Sequence, residues 1–214
     1  MSHTTNRALI VIDVQNEYDS GNLRIEYPPV ADSLRNIGKA MDAARAAAIP
    51  VIVVQQMAPA DSPLFALGSR GWELHEVVAS RPRDHYVPKN LPSAFAGTDL
   101  GNWLQQRGVD TLAVVGYMTH NCNDTTIKHA FDAGLQVEFL MDASGSVPYA
   151  NRAGVASAEE IHRVFSVVEQ SRYAAVLGTD EWIGYVANGT LPERDNIHAS
   201  HQRALARLEK SRVA

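Results

Sequence analysis

Three side chains in this sequence could do chemistry together: Asp13, Lys89 and Cys122. Asp13 sits at the end of a nearly continuous apolar run, residues 8–14 (ALIVIDV). A carboxylate there is costly to desolvate unless something compensates it. A helix cap or turn is the plainer role for such an aspartate. The residues that follow, VQNEY, make no glycine-rich turn, and Gln15, Asn16, Glu17 and Tyr18 read as the wall of a small polar pocket. Lys89 ends a second extended segment, with Pro88 before it and Pro92 after it fixing the backbone. A lysine on its own is ordinarily solvated. Cys122 is the single cysteine, in VVGYMTHNCNDTT. A strand ends near Gly116 and a helix is expected to begin at about Cys122. A thiolate at a helix N-terminus is favoured by the dipole, and the free N–H groups there can hold an anion. One short segment could thus supply a nucleophile and an oxyanion hole; otherwise a lone buried thiol is inert packing.

These positions need elements to hold them. Buried, β-branched runs predict strands at 8–14, 51–54, 85–88, 111–116, 136–141 and 174–177. Helical spacing of apolar residues predicts helices at 30–48, 72–79, 100–107, 123–133, 158–170 and 199–211. Residues 184–196 read as loop. Alternation of this kind predicts an α/β fold, a six-stranded parallel sheet with helices on both faces. Such sheets bind ligands at the carboxyl ends of their strands, where Asp13, Lys89 and the segment after Gly116 fall.

Composition narrows the function classes. The chain has 214 residues, 45% hydrophobic and 20% charged, which excludes disordered, collagen-like and coiled-coil classes. The net charge of −5 and the lack of a basic patch argue against nucleic acid as a partner. No stretch approaches the ~20 apolar residues of a membrane span. The first residues lack the pattern of a signal peptide. A cytoplasmic protein is expected, without an intrachain disulfide.

Asp13 in IVIDVQNEY, Lys89 in VPKNLPSAFAGTDL and Cys122 in VVGYMTHNCNDTTIKHAFDAG resemble the Asp-Lys-Cys triad of the isochorismatase-like cysteine hydrolases. That superfamily includes nicotinamidases, N-carbamoylsarcosine amidases and isochorismatases. The likeness runs over residues 7–182, leaving 183–214 as a loop and helix that pack on the domain or on a partner subunit. It implies strand order 3-2-1-4-5-6 and a cis peptide at Tyr117–Met118. It also implies an oxyanion hole made by the Met118 and Cys122 N–H groups. By the same resemblance Asp13 is the base, Cys122 the nucleophile and Lys89 their electrostatic support. The expected small-molecule substrate is lined by Tyr18, Gln15, Phe95, Tyr117 and His120. Related proteins are commonly oligomers, so a dimer or tetramer is expected.

One departure is informative. Nicotinamidases carry a D-x-H metal motif after the second strand, where this chain has VQQMAPA at 54–60. Neutral amides are poor ligands for zinc or iron, so no metal or other cofactor is expected. His162 reads as a helix-packing residue, and Ser144 and Ser146 as turn residues. The activity expected is cleavage of an amide or carbamoyl C–N bond through a thioester. The alternatives are vinyl-ether hydrolysis of the isochorismatase type, and a catalytically idle binding or scaffold protein on the same fold.

Overall fold

A computed structural model describes residues 5–213. Six parallel strands form one sheet. They are β1 (Arg7–Ile12), β2 (Val51–Gln56), β3 (His85–Lys89), β4 (Thr111–Tyr117), β5 (Gln136–Gly145) and, after a two-stranded hairpin, β8 (Ala175–Leu177). Their order is β3-β2-β1-β4-β5-β8, which is the order the resemblance implies.

Alternation along β1 builds both layers, because successive side chains point to opposite faces. Leu9 and Val11 join Leu34, Ile37 and Met41 of α1 (Val30–Ala46) and Trp182 of α6 (Thr179–Asn188). Ala8, Ile10 and Ile12 join Leu100, Trp103 and Leu104 of α3 (Leu100–Gln106) and Ile127 of α4 (Asp124–Asp132). With both faces covered, every residue of β1 is buried, as its continuous apolar run requires.

Topology then places the site. The chain moves outward from β1 to β2 and β3, and returns to pair β4 with the free side of β1. The sequence order reverses between β1 and β4, where open sheets leave a crevice. Ile12 is in register with Val54 and with Gly116, and Lys89 with Gln56. The two central strands approach closely at Gly116: a Cβ there would lie 2.1 Å from the Ile12 carbonyl oxygen.

Several boundaries differ from expectation. β1 stops at Ile12, and Asp13 has φ of 52°, so the chain turns at the aspartate. β5 runs on to Gly145 through a register shift opposite β4, which makes Ser144 a strand residue. A hairpin, β6 (Tyr149–Asn151) with β7 (Gly154–Ala156), occupies a stretch with no apolar pattern. Residues 184–188 are helical, because α6 carries Gly184 within it and ends only at Gly189, φ +62°. The remaining helices are α2 (Glu76–Ala79), α5 (Ala158–Arg172) and α7 (Ile197–Val213). Among the described residues no helix is long and apolar enough to cross a membrane.

Candidate active site

Asp13, Lys89 and Cys122 meet at the carboxyl ends of β1, β3 and β4. The Lys89 Nζ lies 2.7 Å from Asp13 Oδ2, donates to Gln56 Oε1 at 2.7 Å and reaches Cys122 Sγ at 3.3 Å. The ammonium thus hydrogen-bonds Gln56 and Cys122 and forms an ion pair with Asp13. The Lys89 and Asp13 side chains are fully buried, and Cys122 is buried as well.

Each member is held by its backbone. The Asp13 N–H donates to the Val54 carbonyl at 3.0 Å, and the Asp13 carbonyl accepts from Gln15 N–H at 2.8 Å. The Lys89 carbonyl accepts from Met57 N–H at 2.7 Å. Cys122 lies in a single π-helical turn, Thr119–Asn123, that leads into α4. π-turns of this kind recur at functional sites. Beneath it, Thr119 Oγ1 is 2.8 Å from Ser144 Oγ and 2.8 Å from His162 Nδ1. The Asn123 amide donates to the Gly116 carbonyl and to Ser144 Oγ, both at 2.8 Å. Ser144 and His162 therefore brace the turn. The Tyr117–Met118 peptide preceding it is cis.

Electrostatics here run against the helix-dipole expectation. Burial pushes the Cys122 thiol pKa up, the Asp13 charge adds to this, and Lys89 only partly offsets it. The thiol therefore keeps its proton at rest. Burial also raises the Asp13 carboxyl, against the Lys89 charge and hydrogen bonds from Lys89, Cys122 and the Gln56 backbone. On Lys89 burial favours the neutral amine, but the Asp13 and Cys122 charges outweigh it and the net shift is upward. Burial thus disfavours the charged forms of both the thiol and the carboxyl, and the Lys89 cation touches both groups.

Cys122 opens onto a cavity of about 410 Å³. Leu23, Leu64, Phe65, Leu91 and Pro92 give it apolar walls; Tyr18, Gln56, Asn90, Asn121 and Tyr149 bring polar groups, and Met118 lines it beside Cys122. Glu17 anchors the Phe65 wall from behind: its carboxylate accepts from Asn22 N–H at 2.5 Å and from Phe65 N–H at 3.4 Å.

Of the five residues expected to bind substrate, Tyr18 lines this cavity. Gln15 does not: its Oε1 accepts from Gln56 N–H at 2.9 Å, and its amide donates to the Gln56 and Trp72 carbonyls. It clamps the backbone of the residue that holds Lys89. Tyr117 points into the core, its hydroxyl 2.7 Å from Ser33 Oγ. Phe95 stacks on His129 at 4.7 Å and is not among the residues lining the cavity. His120 stands behind Tyr149, with Nε2 3.0 Å from its hydroxyl and Nδ1 3.1 Å from Ser146 Oγ. The sequence reading missed Gln56 and Tyr149. Gln56 stood in the stretch examined only for metal ligands, and Tyr149 in the unforeseen hairpin.

The end of β2 does not suit a zinc or iron ion. Gln56 Oε1 is engaged by Lys89, the Gln55 amide donates to the Trp72 carbonyl, and Met57 Sδ accepts from Trp72 Nε1. Among the described residues no three His, Cys, Asp or Glu side chains cluster as metal ligands would.

Known proteins share this arrangement of strands. The isochorismatase-domain family model matches residues 7–172. A crystal structure of a proposed isochorismatase from Burkholderia xenovorans LB400 aligns with a TM-score of 0.96 at 67% identity, covering 97% of this chain and 100% of that one. The secreted isochorismatase effector Isc1 of Verticillium dahliae is 33% identical over 174 residues, 79% of this chain and 90% of its own length. Nicotinamidase 3 of Arabidopsis thaliana is 30% identical over 152 residues, 65% of this chain and 73% of its own length. The family match spans every strand end that meets at the thiol, and on that ground the chain belongs to the isochorismatase family.

Proposed function

We propose that this protein is a cysteine hydrolase that cleaves the C–N bond of a small amide or carbamoyl compound through a thioester intermediate. The observation that carries this reading is the buried contact of Lys89 Nζ with both Asp13 Oδ2 and Cys122 Sγ at the floor of a small cavity. A thiol held protonated needs a base at contact distance, and Asp13 is that base. Asp13 takes the thiol proton as sulfur attacks the carbonyl carbon. The oxyanion forms against the Met118 and Cys122 amides. Asp13 then gives the proton to the leaving nitrogen, the C–N bond breaks and an acyl-thioester remains. Water enters, loses a proton to Asp13 and attacks the thioester. The acid product leaves, and the proton returns to sulfur. Lys89 stays charged throughout. A relative named nicotinamidase is in keeping with C–N chemistry. The cavity's apolar walls and its Gln56, Asn90 and Asn121 side chains favour an uncharged amide bound by shape and hydrogen bonds.

A second reading has its own support. A relative named for isochorismatase matches most of the chain, and a carboxyl raised by burial suits protonation of an enol carbon. Two variants separate the readings. A panel of primary amides, ureas and carbamoyl compounds is screened for ammonia release, with mass spectrometry for an acyl adduct on the thiol. The expected result is turnover by the native protein and a loss of about 10⁴-fold or more in both Cys122→Ala and Asp13→Asn, because these groups act as one unit. If Cys122→Ala keeps much of the rate while Asp13→Asn does not, the thioester mechanism is rejected and the vinyl-ether reading takes its place.

A further inference from the structure

A chain of three hydrogen-bonding side chains runs from the core to the cavity wall. Ser146 Oγ is 3.1 Å from His120 Nδ1, and His120 Nε2 is 3.0 Å from the Tyr149 hydroxyl. Each link comes from a separate element. Ser146 follows β5, and its backbone is tied to Tyr27. His120 lies in the π-turn, two residues before the thiol. Tyr149 opens the β6 hairpin strand, paired with Ala156. The His120 ring stands at a steep angle to Tyr149 at 5.2 Å and to Phe165 at 5.9 Å.

The polarity of this chain follows from burial. Burial pushes the His120 pKa down to about 4, against the Asp124 charge. Near neutral pH the ring therefore carries one hydrogen and one lone pair. Ser146 is fully buried, and among the described residues His120 Nδ1 is the hydrogen-bond partner of its hydroxyl. A buried hydroxyl left without an acceptor is unfavourable. The Ser146 hydrogen therefore goes to Nδ1, and the ring hydrogen sits on Nε2. Nε2–H donates to the Tyr149 oxygen, which leaves the Tyr149 O–H to donate elsewhere. Tyr149 lines the cavity together with Cys122. Burial, and then charge on the Cys122 sulfur, raise its pKa, so the phenol is protonated and within electrostatic reach of the thiol. Among the described residues that line the cavity none carries a charge, so a carboxylate on the substrate would find no countercharge there.

We propose that Tyr149 is a specificity-determining donor, aimed by His120 and Ser146 as positioning residues. The substrate it selects is an amide with a second, uncharged oxygen acceptor set away from the scissile bond. This inference rests on the hydrolase reading given above.

Nitrogen-15 NMR of the histidine-labelled native protein at pH 7 reads the ring directly. The His120 hydrogen is expected on Nε2, and Ser146→Ala should move part of it to Nδ1. Selectivity is read as the ratio of kcat/KM for 4-oxopentanamide to that for pentanamide, which lacks the ketone oxygen. The 3-oxobutanamide/butanamide and 5-oxohexanamide/hexanamide pairs vary the position of that oxygen. In at least one pair the native ratio should be about tenfold, the worth of one neutral hydrogen bond, and Tyr149→Phe should bring it close to one. His120→Leu should lower the ratio in the same way. His120→Gln, whose amide N–H can take the place of Nε2–H, should restore it. A loss of packing alone would not move these ratios. A hydrogen on Nδ1 in the native protein, or a ratio that Tyr149→Phe leaves unchanged, overturns the proposal. Failure of the hydrolase reading looks different: no amide is turned over, while Nε2 still carries the hydrogen and the native protein still binds the oxo-amide more tightly than its parent.

Discussion

The turn that carries Cys122 has two sides, and they are built from different chemistry. On the cavity side, Asp13, Lys89 and Cys122 share charge and protons within contact distance. On the core side, Thr119, Asn123, Ser144 and His162 are joined by neutral hydrogen bonds of 2.8 Å. His162 is kept neutral there: burial, and then the neighbouring His120, push its pKa down to about 4. Both sides are buried. The difference is that one side has protons to move and the other has none. In the proposed reaction, chemistry is confined to one face of five residues, and the opposite face holds them still.

Altering Lys89 should separate the two sides most sharply. Lys89→Met leaves Asp13 buried without its cation. Removing one partner of a buried pair costs about 3–5 kcal/mol. Denaturant unfolding at neutral pH should show a loss of this order, shrinking as acid protonates the orphaned Asp13. Turnover should fall by about 10² to 10³-fold, because the base loses its position and the developing thiolate its countercharge. Intact stability in Lys89→Met would mean that the pair is not the electrostatic unit described.

Thr119→Val probes the other face. It removes the hydroxyl that Ser144 and His162 share and leaves buried groups unpaired, at about 1–3 kcal/mol. Turnover measured well below the melting transition should change by less than about tenfold. A loss comparable to that of Lys89→Met would break the distinction and put Thr119 in the reaction.

The smallest effect is in pH dependence. His162 binds its proton more weakly when folded than when unfolded. Its neutral form therefore contributes stability that is complete above about pH 6.5 and is lost as pH falls toward 4. The slope is about 1.4 kcal/mol per pH unit for one such group. In His162→Gln that loss is absent, so the stability difference between variant and native protein should shrink through this window. A constant difference from pH 7 to pH 4 would show that His162 takes up its proton as readily in the folded protein as in the unfolded chain.

The two regions also differ in how far the sequence discloses them. Asp13, Lys89 and Cys122 could be picked out because polar residues at the ends of apolar runs stand out against the pattern. The six strands were legible for the same reason: parallel strands buried on both faces are nearly all apolar. The bracing network was not legible. Ser144 lies in DASGS, which carries turn signals, yet β5 passes through it after a register shift that no local pattern announces. Tyr149 lies in a short exposed hairpin without alternation. Gln15 and Tyr117 were placed near the site correctly along the chain but not in orientation. Which way a side chain points after a strand end depends on turns such as the one at Asp13, and spacing alone does not reveal it.

The three-way contact of Lys89 has a consequence for how the reaction feels its surroundings. When a proton passes from sulfur to Asp13, negative charge moves from the carboxylate to the sulfur, from one neighbour of the ammonium to another. The sum of charges in the nest stays at zero before and after, and the cation need not travel. The event is a rotation of a small buried dipole about a fixed positive end, so it sends almost no field into the solvent. Salt in the medium screens exposed charges over roughly 10 Å, and it has little here to act on. The chemical step should therefore be nearly indifferent to ionic strength.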